Sequence, residues 1–178
     1  MKLFSNERIH RRGGFTFLDN IFAMTIVALF FGALYMLNSQ CLYLLNSGRE
    51  SLAATGALQD RMEQVRSCRW TQVTLSSGTN SISTLLSSAA SDAAMLNKAT
   101  ETVTVTGYPT PTSGSAPTFS VSRNNATGVV SVAAGGSAQS AFSTYDLARI
   151  DITMAWTASP GNRSRSEQIT TLWGENTR

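Results

Sequence analysis

The residues that could carry chemistry in this chain are few, and their positions restrict what they could do. The single histidine, His10, stands in a basic N-terminal stretch, so the rest of the chain has no imidazole to act as a general base or to anchor a histidine-based metal cluster. Ser and Thr make up about a quarter of the residues, but without such a base they read as strand and loop residues rather than nucleophiles. The glycine pair Gly135-Gly136 matches no phosphate-binding spacing. Cys41 and Cys68 are also poorly placed to react with each other. If both lie on one helix, their separation of 27 positions amounts to about 40 Å, against a Cα limit near 7 Å for a disulfide. The expectation is a protein with no catalytic residue, no cofactor and no metal. One residue is chemically out of place, and that is Asp19, an acid just inside a long apolar run.

The element that would position Asp19 is a helix of membrane-spanning length. No charged residue occurs from Asn20 to Gly48, and Phe15 to Leu37 as a helix would be about 35 Å long against a hydrocarbon core of about 30 Å. A secretory signal has a shorter apolar stretch and a small-residue cleavage site, and neither is present after this one. The pair Arg11-Arg12 before Phe15 also fits a twin-arginine signal, against which the long span counts. The formal net charge of +3 resides entirely in residues 1–14, which hold Lys2, Arg8, Arg11 and Arg12 against Glu7. That basic flank predicts an N-terminus in the cytoplasm and a body on the far side of the membrane. A carboxylate at mid-membrane costs about 2.5–3.5 kcal/mol on insertion scales and less near an end. Asp19 is therefore either a marker of the span boundary or a residue with a task.

The run Arg11-Arg12-Gly13-Gly14-Phe15-Thr16-Phe17-Leu18-Asp19 resembles the amino-terminal signature of type IV pilins and pseudopilins. That signature is a short basic leader ending in Gly, then Phe, Thr, two apolar residues, an acid and a long apolar helix. The resemblance covers Gly14 to about Leu37. It implies that a prepilin peptidase cuts between Gly14 and Phe15, that the new amino group of Phe15 is methylated, and that Asp19 serves subunit assembly. It further implies a bacterial inner-membrane protein, single-pass, that partners other pilin or pseudopilin subunits, the inner-membrane assembly machinery and membrane lipid. Asp19 stands where the family usually has glutamate. No proline precedes Pro109, whereas many major pilins carry one in the span, and this points to a minor pilin or pseudopilin.

Beyond the span the helix is expected to continue to about Trp70. Cys41, Leu45 and Leu52, then Leu58, Met62 and Val65, recur at helical spacing, with Arg49, Glu50, Asp60, Arg61, Glu63 and Arg66 between them. Gly48 and Gly56 are places where it could bend or fray. Residues 83–99 favour a short helix with Leu85, Ala89, Ala93 and Leu96 on one face. From Glu101 the period becomes two: Val103 and Val105, Phe119 and Val121, Val130 and Val132, and then Ile150, Ile152, Met154 and Trp156. Ser159-Pro160-Gly161-Asn162 reads as a turn into a return strand over residues 167–173. The fold class is thus α+β, a long N-terminal helix packed on a C-terminal antiparallel sheet. The expected division is a leader at 1–14, a helix at 15–70 with its span at about 15–37, and a Ser/Thr-rich β domain at 71–178.

Past residue 14 the chain holds 10 basic and 10 acidic residues, which argues against a nucleic-acid partner. The functional expectation is a structural subunit of a type IV pilus or secretion-type pseudopilus. The alternative is a permanently anchored periplasmic binding or adhesion domain that never polymerises.

Overall fold

A computed structural model of the chain describes residues 16–109, 115–133, 139–159 and 161–174. Residues up to Leu42 form one unit and those from Tyr43 onward a second. A single α-helix, α1 (Phe17–Ser67), contributes to both. Nothing in its sequence stops it, since it lacks proline and its glycines, at 32, 48 and 56, are isolated.

In the second unit α1 lies on a five-stranded antiparallel sheet formed by β1 (Thr100–Tyr108), β2 (Thr118–Asn124), β3 (Val130–Val132), β4 (Leu147–Ala158) and β5 (Arg163–Gly174). The strand order is β3-β2-β1-β4-β5. Alternation decides which side of each strand is buried. Val103 and Val105, Phe119 and Val121, and Ile150, Ile152, Met154 and Trp156 all face the core, as their period of two requires. The β4–β5 turn uses Gly161 and Asn162 in left-handed conformation (φ 109° and 53°), a geometry that glycine and asparagine tolerate best. The long β4–β5 pairing extends from Leu147↔Gly174 to Ala158↔Arg163.

The buried stripe of α1 is Ala53, Ala54, Ala57, Leu58, Arg61, Met62 and Val65, a helical repeat of small and medium side chains. Leu58, Met62 and Val65 were expected there. Leu45 and Leu52 were also expected, yet they are 61% and 74% exposed. Alanines let the helix axis approach the sheet closely, and the stripe they define passes beside Leu52 rather than through it. Polar ties begin at the same level. Glu50 accepts hydrogen bonds from the Trp156 indole N–H (3.3 Å) and the Ser159 amide (2.9 Å). Ser51 donates to Glu167 at 2.6 Å, and the Thr55 hydroxyl lies 2.9 Å from the other oxygen of that carboxylate.

Arg61 is the departure from a simple amphipathic reading. It was expected on the polar face, but its side chain and that of Glu101 on β1 are wholly buried and form a salt bridge. Arg61 Nε donates to one Glu101 oxygen and Nη2 to the other (3.0 Å). The remaining guanidinium hydrogens go to the Leu85 carbonyl (2.8 Å), the Ser88 carbonyl (2.8 Å) and Gln64 Oε1 (2.6 Å). From the sheet, Arg123 donates to the Leu86 and Ser87 carbonyls. Two arginines thus claim four consecutive carbonyls of the segment joining α1 to β1.

That explains why the helix expected over residues 83–99 does not form. The segment contains instead a four-residue helix, α3 (Ile82–Leu85), and a 3-10 turn at Ala93–Met95. A further short helix, α2 (Trp70–Val73), follows α1. The carbonyls that would continue α3 are engaged by the arginines, and Asp92 adopts φ 60°, which breaks the helical path. Ala89 is exposed, while Ala90, Ala93 and Leu96 are buried. The helix α1 neither frays nor ends at Gly56. A β-carbon there would meet Asp92 Oδ2 at 3.0 Å, so the missing side chain is where the loop closes on the helix.

Candidate functional site

The candidate residues lie at the start of α1. Gly14 and Phe15, the expected cleavage and methylation positions, lie outside the described residues, as does His10. Asp19 sits in the first turn of the helix and is exposed. Its carboxylate Oδ2 accepts from the Thr16 hydroxyl (2.8 Å) and the Thr16 amide (3.2 Å), while the Asp19 amide points back at Thr16 Oγ1 (3.4 Å). This is a reciprocal capping box, with Thr16 as the N-cap and Asp19 at the third helical position. Free amide N–H groups at a helix start attract an acidic side chain, so the carboxylate stabilises the end it occupies. The Thr-x-x-Asp spacing that announces the box is plain in the sequence, and reasoning from the apolar span alone missed it.

One Asp19 oxygen is thus committed to Thr16. The other, Oδ1, has no hydrogen-bond partner among the described residues. Around and after Asp19 the surface is apolar: Phe17, Leu18, Phe22, Leu29, Phe30 and Phe31 are all exposed. By length and composition α1 is long and apolar enough to cross a membrane, and its apolar stretch is not buried among the described residues. Thr25 returns its hydroxyl to the Ile21 carbonyl (2.8 Å), so it adds no free polar group to that surface.

Both cysteines are free, Cys41 exposed and Cys68 half-buried just past the end of α1. Burial pushes the Cys68 thiol above its ordinary range, and its Sγ lies 3.3 Å from the Gln64 carbonyl. Asp60 behaves oppositely. The Ser91 amide, 2.8 Å from Asp60 Oδ2, holds the carboxyl below the usual range, partial burial opposes it, and Gln64 at 3.1 Å acts with Ser91. Among the described residues no group of three or more His, Cys, Asp or Glu is arranged to hold a metal ion.

Comparison with protein-family models, with curated proteins and with solved structures finds no match to this chain.

Proposed function

We propose that this protein is a noncatalytic filament subunit of the type IV pilin or pseudopilin kind, probed most directly through its N-terminus. The observation that supports the reading is the division of labour along one helix. Its first part is apolar, charge-free after Asp19 and exposed among the described residues, and its second part is packed into the core of a sheet domain. An apolar helix surface of this kind can be solvated by lipid and later covered by like helices, so the same residues serve storage in a membrane and assembly out of it.

The role of Asp19 follows from charge. Cleavage after Gly14 would create an ammonium group on Phe15, and burying that group among helices is costly without an opposite charge nearby. The capping box leaves Oδ1 free to accept from such a donor on a neighbouring subunit. The proposed localisation is the bacterial inner membrane with the N-terminus cytoplasmic and the β domain outside, then the filament. Its proposed partners are a prepilin peptidase, other subunits and the assembly machinery.

The test is intact-mass measurement of the protein from cells that contain a matching peptidase. A chain that begins at methylated Phe15, with Gly14→Val retaining its leader, is the expected result. A wild-type chain that keeps residues 1–14 sinks the proposal and leaves the permanently anchored domain in its place. Asp19→Ala should reach the membrane at wild-type levels or above and enter sheared filaments poorly, whereas Asp19→Glu should assemble. Equal assembly of Asp19→Ala and wild type would reduce Asp19 to a capping residue.

A further inference from the structure

The sheet has a second face, turned away from α1, and its composition differs from that of an ordinary solvated surface. Four of the five outward residues of β1 are threonine, Thr100, Thr102, Thr104 and Thr106, and the fifth, Tyr108, ends the strand. The register extends this into rows across the sheet. Ser131, Ser122, Thr102, Thr153 and Gln168 lie side by side on β3, β2, β1, β4 and β5, and the adjoining row holds Ser120, Thr104, Asp151 and Thr170. Neighbouring strands are about 4.8 Å apart and alternate residues along a strand about 6.8 Å apart, so the hydroxyls form a two-dimensional array.

Two features of this face bear on what it could bind. First, it is electrically neutral. Arg149 and Asp151 are the only charged residues among the described outward strand positions, and they bridge each other at 3.0 Å. Asp151 also accepts from Thr170 (2.6 Å) and Gln168 (3.2 Å), so its charge is spent within the face. A polyanion or polycation would find no complement here. Second, the central hydroxyls are uncommitted. Thr102, Thr104, Ser120 and Thr153 have no side-chain hydrogen bond to any described residue, and each can donate and accept. The large apolar or aromatic groups of the face, Tyr108, Leu147 and Leu172, stand at strand ends, so its centre offers no apolar docking surface.

We propose that this face binds neutral polysaccharide. An uncharged polymer of hydroxyl groups matches it in charge and in the two-way hydrogen bonding that its rows present. Each exchange of water for a glycan hydroxyl contributes little, so useful binding needs many such bonds and many copies of the face. The inference does not depend on filament assembly, because copies can be gathered on a bead as well as in a fibre.

Full-length protein in detergent micelles, tethered at high density to beads, is mixed with insoluble cellulose, chitin and crosslinked dextran, with alginate as an acidic control. Retention on at least one neutral polymer, unchanged by added salt, is expected. The variant Thr102→Val with Thr153→Val keeps good strand formers and removes two hydroxyls that hold nothing in the protein. It should melt at or above the wild-type temperature and lose retention about tenfold. Thr102→Lys is an independent check and should lose retention likewise. No retention of wild type on any neutral polymer, retention only on alginate, or full retention of the valine variant would each overturn the proposal. None of these outcomes bears on whether the leader is cleaved.

Discussion

The Arg61–Glu101 pair makes the sharpest energetic prediction. Glu101→Gln keeps the shape of the side chain and removes its charge, leaving the Arg61 cation in a site with no solvent exposure. Removing one partner of a buried pair typically costs about 3–5 kcal/mol. Here the cation retains the Leu85 and Ser88 carbonyls and Gln64, and an amide oxygen can still accept one of its bonds, so the lower end, about 3 kcal/mol, is expected. Arg61→Met should cost more. It strands the Glu101 carboxylate and removes the donors of two backbone carbonyls, each worth about 1–3 kcal/mol if left unpaired. The double variant Arg61→Met with Glu101→Leu removes both charges, which in other buried pairs is neutral or stabilising, but the stranded carbonyls remain. It should therefore stay about 2 kcal/mol below wild type while lying above Arg61→Met alone. Urea unfolding of the full chain in detergent micelles, followed by near-ultraviolet circular dichroism, on wild type, Arg61→Met, Glu101→Leu and the double variant gives all four corners of the cycle. A cost below about 1 kcal/mol for Glu101→Gln, or strictly additive single variants, would refute the claim that this pair is buried and coupled.

The depressed Asp60 carboxyl gives a pH dependence of known sign. Because its folded value lies below its unfolded value near 3.9, its contribution is present above that value and is lost as pH falls through the folded one. Acid titration of stability should thus be steeper for wild type than for Asp60→Asn below about pH 4, and parallel curves would show that the Ser91 contact is not made. The glycines separate into two kinds. Gly48→Ala meets nothing within 4 Å and should stabilise the helix by up to about 1 kcal/mol. Gly107→Ala would place its β-carbon 3.0 Å from both Pro117 Cγ and Tyr145 Cδ1, so two rings from different segments must give way at once, and it should cost about 1–3 kcal/mol. Thermal melts of the two variants should move in opposite directions.

The features legible in the sequence are those carried by neighbours in the chain. The α1 helix needs only an apolar run followed by apolar residues at helical spacing, with no proline, and the strands need only alternation, so Ile150, Ile152, Met154 and Trp156 declared their buried face without reference to any partner. The Thr16–Asp19 box is equally local, three residues from end to end, and a search for capping patterns would have found it. The alternation of Val103 and Val105 marks one face of β1, but periodicity cannot say that on the other face Ser122 lies on one side of Thr102 and Thr153 on the other. That juxtaposition comes from pairing between strands distant in sequence. Arg61 and Glu101 are 40 positions apart, and an arginine between apolar helix residues reads as surface until a carboxylate from β1 arrives beside it. The same pairing decided residues 83–99, where local preference favoured a helix. Arg61 and Arg123, brought together from helix and sheet, took the carbonyls on which that helix would have depended, because a buried guanidinium must satisfy its donors with whatever acceptors the fold places in reach.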